Sequence, residues 1–244
     1  MKKNLLLTLF VLLFIATAFA QTTNEKPTML FENLYIQPKL GMEEKFEAAV
    51  KAHNLKFHPD GPYKAGLRKV EYGDMSGWYV WVFGPATYAS LDSRPTKEGG
   101  HAEDWAKTVD PLVQTYGEID LWNYEPDLSF GMDILKKANY YETWAVDLKR
   151  GEYYRFKELV SKLKKVYESM NKDAFLIFTN PIHTSKNKDV GILWSFNTYE
   201  DWGKDGGTKA AYEKMYGDGS WQHLLDEWND IIVDYNSEVR SIVK

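Results

Sequence analysis

Apolar and polar positions alternate over residues 29–37, which predicts a β-strand. From Gly41 the period changes. Phe46, Ala49, Val50, His53 and Phe57 recur at three- and four-residue steps, the stripe of a helix lying on a sheet. Breakers at 58–62 give a loop, and a second strand follows at 63–72, carrying Ala65, Leu67 and Val70. Residues 73–77 make a glycine-bearing connection to WYVWVF at 78–83. That strand is apolar on both faces and must be covered on both sides. Thr87 caps a short helical turn reaching Leu91, and 92–100 is a polar loop. A helix is expected over 101–116, with Trp105, Val109, Leu112, Val113 and Tyr116 on one stripe and Pro111 as its bend. A fourth strand follows at 118–124. The order is β-α-β-β-α-β, the ferredoxin-like unit.

The pattern then starts again. At a shift of 110 residues, Glu32 falls on Glu142, Leu34 on Trp144, Ile36 on Val146, Lys39 on Lys149, Gly41 on Gly151, Phe46 on Phe156 and Val50 on Val160. The second copy reads as a strand at 140–148, a helix at 151–170 and strands at 173–179 and 190–196. A helix-rich region at 199–234 and a last strand at 238–243 complete it. Trp81 and Phe83 of the first copy fall on Trp194 and Phe196. The predicted class is α+β: two tandem units, 29–126 and 139–244, joined by a linker. One such unit covers only one face of its sheet with helices. A second copy in the same chain supplies the cover for the other face, so two facing sheets with helices outside are expected.

Composition narrows the setting. Residues 1–20 have the form of a secretory signal: Lys2 and Lys3, an apolar run over 5–15, and Ala18-Phe19-Ala20 before Gln21. The run is short for a bilayer, which needs about 20 apolar residues, so no membrane span is expected after cleavage. Removing 20 residues from 244 leaves 224, and with the two lysines gone the net charge moves from −5 to −7. The expected location is periplasmic or secreted. Cysteine is absent, which removes disulfides, thiolate metal sites and a cysteine nucleophile. Mild acidity with scattered lysines argues against a nucleic-acid partner.

The tandem units, the strand-glycine-helix opening and the aromatic third strand resemble the dimeric α+β barrel superfamily. That group includes antibiotic-biosynthesis-type and haem-degrading monooxygenases, chlorite-dismutase-like proteins and stress-responsive barrel proteins. The resemblance implies an intramolecular barrel, either monomeric or paired again as a homodimer, with a pocket between sheet and helices or inside the barrel. In haem-degrading members an asparagine on the first strand, a histidine on the second long helix and a tryptophan before it act together. Asn33 and His101 match two of the three, and Leu91 stands where the tryptophan is expected. In the second half Trp202 and His223 are present and Thr143 replaces the asparagine. Haem through His101 or His223 is therefore an alternative, and no cofactor is the main expectation.

No HExxH or carboxylate-cage spacing occurs, and His53 and His58 are five apart, off a shared helical face. A built-in metal site is not expected. Trp105, Trp202, Trp221 and Trp228 lie near the variable helical regions, where they suit either packing or a pocket wall. The repeat itself gives the sharpest hint. Asn33 becomes Thr143 and Tyr35 becomes Ala145, while the alternate positions stay apolar, so one strand face is held as core and the other has diverged. The ligand-pocket candidates are Asn33, Tyr35, His101, Trp105, Trp202 and His223. Three readings stay open: a non-catalytic binder of an aromatic or apolar small molecule, a cofactor-independent monooxygenase acting on an aromatic or quinol-type substrate, and a haem-binding protein.

Overall fold

The computed structural model describes residues 27–94, 98–183 and 188–244; the signal-like residues 1–20 lie outside them. Strands β1 (Leu30–Pro38), β2 (Ala65–Tyr72), β3 (Tyr79–Ala86) and β4 (Val113–Tyr124) come from the first copy. The second copy supplies β5 (Tyr140–Leu148), β6 (Phe175–Thr179), β7 (Val190–Phe196) and β8 (Ile232–Ile242). They close into one antiparallel barrel in the order β1-β3-β2-β8-β5-β7-β6-β4. Read by position within each copy, both halves have the order 4-1-3-2. The halves do more than face each other. They join along both edges, β2 to β8 and β4 to β6. Each edge strand's free N–H and C=O groups thereby find partners.

Helices cover the outside of the barrel. In α1 (Glu43–Phe57) the buried residues are Phe46, Val50 and His53, at steps of four and three. Acidic Glu43 and Glu44 sit in its first turn, where they complement the helix dipole. After α2 (Tyr88–Asp92), which is held by the Thr87–Ser90 capping box, α3 (His101–Thr108) docks on α1. A short α4 (Met132–Leu135) lies in the linker. The second half repeats the plan with α5 (Tyr153–Met170), which buries Phe156, Leu159, Val160 and Val166. It adds α6 (Tyr199–Trp202), α7 (Thr208–Tyr216) and α8 (Ser220–Ile231). Each half has its own core between helices and outer sheet face, one around Phe46, Tyr79 and Phe83, the other around Phe156, Phe175 and Ile177. The doubly apolar third strand is explained by this arrangement. Tyr79, Trp81 and Phe83 enter the helix-side core, while Val82 points into the barrel.

The two largest differences from the expected boundaries run in the same way. The helix expected over 101–116 stops at Thr108. A 3-10 turn, Asp110–Leu112, carries Pro111, whose ring nitrogen has no hydrogen to continue a helical ladder. The strand then begins at Val113, paired with Pro38. In the second half β8 starts at Ile232 instead of 238, directly out of α8, and Ile232 pairs with Leu148. Since Pro38 and Leu148 are equivalent under the 110-residue shift, the last strand of each copy is long because its partner strand offers backbone groups along its full length.

Candidate functional site

Alternation along the strands sends one set of side chains into the barrel. From β1 these are Phe31, Asn33 and Tyr35, from β4 Asp120 and Trp122, and from β5 Tyr141, Thr143 and Ala145. From β8 they are Asn236, Glu238, Arg240 and Ile242. The cavity they surround has a volume of about 840 Å³. Met132 and Leu135 of α4 also line it, so the linker between the halves forms part of its wall. Size differences between the copies make the space: Ala145 stands where the first copy has Tyr35. Gly191 and Gly117 matter for the same reason. A Cβ at Gly191 would come within 3.3 Å of the Trp122 ring, and one at Gly117 within 2.9 Å of the Trp78 ring. Glycine lets these indoles lie against the sheet.

A buried polar cluster sits in this cavity. Arg240 donates from Nε to Glu238 Oε2 at 2.8 Å and from Nη2 to the Tyr35 hydroxyl at 2.5 Å. The Tyr35 hydroxyl in turn donates to Glu238 Oε2 at 3.3 Å. Tyr35 belongs to β1 and the two charged residues to β8, so the contact joins the two copies. Burial raises the Tyr35 pKa far above the ordinary phenol range, and the nearby guanidinium offsets this only in part. Tyr35 therefore stays a protonated donor at neutral pH. Asp120, opposite Asn33 on the neighbouring strand, also faces the cavity. Its pKa is raised, first by burial and then by the Glu118 carboxylate, with Arg240 pulling the other way.

Asn33 and Tyr35 are thus where the divergent strand face placed them. The cavity nevertheless draws on both halves; the second copy, expected as the cover for the first copy's bare sheet face, also contributes the charged pair. Glu238 and Arg240 were legible as charges at a period of two in the last strand, next to outward Val239. His101 and Trp105 lie elsewhere, on the opposite side of the sheet among α1, α3 and the outer face of β3. Trp202 is 45% exposed, stacked on Phe196 and donating to Glu142 Oε2 at 2.8 Å. His223 is exposed on α8. Asn33 and His101, paired by the resemblance to haem-degrading enzymes, are separated by the sheet. These residues do not fit a haem held by His101 with Asn33 beside it.

Around His101 a second constellation forms that the spacing argument missed. His53 Nε2 is 3.3 Å and His58 Nε2 2.9 Å from His101 Nε2. The i, i+5 objection holds only within a continuous helix. Here α1 ends at Phe57, and the backbone turns at His58, whose N–H bonds to the Asn54 carbonyl at 2.8 Å. His53 and His58 are buried and His101 half-buried, and the ligating nitrogens of the three lie within 4.8 Å of one another. Where the sequence spacing offered no metal-type arrangement, three imidazoles converge. Burial lowers the His58 pKa to about 4, against its bond to the Tyr63 carbonyl, and burial likewise lowers that of His101.

No protein-family model matches the chain, and no curated protein does. Solved structures do match it. A provisionally assigned monooxygenase from Lactobacillus acidophilus NCFM superposes with a TM-score of 0.56 at 13% identity, covering 89% of this chain and 95% of that one. An anthrone oxidase-like protein gives 0.51 at 12% identity, covering 90% and 93%. A chlorite dismutase variant from Candidatus Nitrospira defluvii gives 0.53 at 9% identity, covering 89% and 93%. At such identities the likeness is one of fold. Together with the 4-1-3-2 strand order in both copies and the double-edged closure, it establishes that this chain has the ferredoxin-like dimeric α+β barrel fold, assembled within a single polypeptide.

Proposed function

We propose that the protein binds a small organic molecule with an aromatic or apolar body inside the barrel. The observation that carries this is the cavity of about 840 Å³ with a buried polar cluster in its wall. Ligand sites typically measure about 300–1,000 Å³ and pair an apolar lining with a few placed polar groups. Phe31, Trp122, Phe178 and Leu193 offer the apolar wall, and Tyr35, Arg240 and Asp120 the polar end. A catalytic extension has one observation in its favour. Asp120 is a carboxyl group whose pKa burial raises, facing the cavity near a fixed guanidinium, the setting of a general base for an acidic phenol or quinol hydroxyl.

One titration series tests both. A panel of phenols, quinols and quinones is added while tryptophan fluorescence and oxygen consumption are followed. At least one compound is expected to bind, and Ala145→Phe, which puts a large side chain into the lumen, abolishes that binding. Tyr35→Phe weakens it by about tenfold, the loss of one hydrogen bond of about 1.4 kcal/mol. If Ala145→Phe binds every compound as the natural protein does, the ligand is not in the barrel. Oxygen uptake that disappears in Asp120→Asn, with binding kept, supports the catalytic extension; no uptake with any bound compound leaves a binding protein alone.

The same reading places the protein outside the cytoplasm, motivated by the signal-like first 20 residues. Protein isolated from its own cells is expected to begin at Gln21; an intact amino terminus at Met1 would contradict export.

A further inference from the structure

We propose that His53, His58 and His101 form a binding site for one divalent transition-metal ion of the zinc and cobalt type, with a fourth coordination position open to water. This site lies on the other face of the sheet from the barrel cavity and does not depend on what the cavity binds.

The tautomers carry the argument. His58 Nδ1 lies 2.7 Å from the Tyr63 carbonyl oxygen. A carbonyl only accepts, so Nδ1 holds the proton and Nε2 presents its lone pair. His53 Nδ1 lies 2.9 Å from Asp104 Oδ2, and the Asp104 carboxylate is further held by Lys56 Nζ at 3.2 Å. Nδ1 of His53 thus holds a proton, and in the neutral ring its Nε2 is also a bare lone pair. Both lone pairs are directed at His101 Nε2. A single proton on that nitrogen bonds well to one of them and leaves the other short of a partner in a largely buried site, which is costly. A cation at the meeting point satisfies all three nitrogens at once.

The distances suit such a cation. A metal–nitrogen bond of about 2.0–2.1 Å in tetrahedral geometry sets ligand nitrogens ~3.3–3.4 Å apart. The His53–His101 pair is already at 3.3 Å and the His58–His101 pair at 2.9 Å. The widest separation, within 4.8 Å, is that between His53 and His58, and an ion seated among the three draws these two rings together. The outer partners are those of built metal sites, where a carboxylate or a backbone carbonyl orients each ligating imidazole. Here Asp104 does so for His53 and the Tyr63 carbonyl for His58. An all-imidazole donor set selects zinc, cobalt, nickel or copper over magnesium and calcium, which take oxygen ligands. Trp105, Trp81 and Phe57 ring the cluster at centroid distances of 4.9–5.2 Å from one or other histidine, restricting where the fourth ligand enters.

The test uses the mature chain made without a histidine tag and stripped with a chelator. Cobalt(II) is titrated while visible d–d absorption is read, and zinc(II) affinity is measured by competition with a chromophoric chelator. One equivalent of cobalt is expected to give intense four- or five-coordinate bands that zinc abolishes. His101→Ala loses at least 100-fold in zinc affinity. Asp104→Asn, which keeps all three ligands, loses about 10- to 100-fold. His183→Ala and His223→Ala change nothing. Circular dichroism checks that each variant is folded, and Asp104→Asn stands in if His101→Ala is not. Absence of cobalt bands in the folded natural protein overturns the proposal, and so does zinc binding indifferent to both His101→Ala and Asp104→Asn.

Discussion

Replacing Arg240 with methionine is expected to lower the free energy of unfolding by about 3–5 kcal/mol, the usual cost of leaving one member of a buried ion pair alone. Arg240 is 6% exposed and Glu238 7%. Their contact at 2.6 Å, together with the bonds to the Tyr35 hydroxyl, is what compensates for taking both charges out of water. Without the guanidinium, the Glu238 carboxylate keeps only the Tyr35 hydroxyl among the described residues. For a chain of this length about 2–4 °C is lost per kcal/mol, so the melting temperature drops by roughly 6–20 °C. The cost lies in the orphaned charge more than in the pair, so the double variant Arg240→Met with Glu238→Leu recovers most of it. Urea unfolding of the three proteins checks this. A single variant within about 1 kcal/mol of the natural protein, or a double variant as poor as the single, would show that the pair does not stabilise the lumen as described.

The second large effect comes from the repeat. Phe46 and Phe156 occupy equivalent places on α1 and α5, and both are fully buried against the outer face of their own half of the barrel. Each substitution to alanine removes a ring from a packed layer and is expected to cost about 3–5 kcal/mol. The two values should be close, because Phe46 and Phe156 fall on equivalent positions of the repeat and each is fully buried between its helix and its own half of the sheet. Denaturant unfolding decides the matter. If one half tolerates the change at under about 1 kcal/mol, the two helix layers are not equivalent supports for the barrel.

Much of this fold was legible because it rests on periodicity. Strands β5 and β7 fall at the expected residues, and the alternation that separates Asn33 and Tyr35 from Leu34 and Ile36 is the one that divides lumen from helix-side core. What the pattern could not show was where a helix yields to a strand. Val113 and Tyr116 continue a plausible helical stripe, yet Pro111 and the waiting edge of β1 draw them into β4. The lumen was half legible. Divergence at 143 and 145 marked the face, but Arg240 meets Tyr35 across 205 positions of chain, and that contact follows only from barrel closure. The three histidines were hidden for a related reason. The breakers at 58–62 already ended the first helix at Phe57, but the convergence also depends on docking of α3 against α1, which is not written in the spacing of His53, His58 and His101.

The central claim, that the lumen is the binding site, is tested most directly by a crystal structure with a bound aromatic ligand from the panel. The account predicts the ligand inside the barrel, its ring against Trp122 or Phe178 and a polar atom within hydrogen-bond distance of Tyr35 or Arg240. A ligand found on the helix side of the sheet, with the lumen left to solvent, would contradict it.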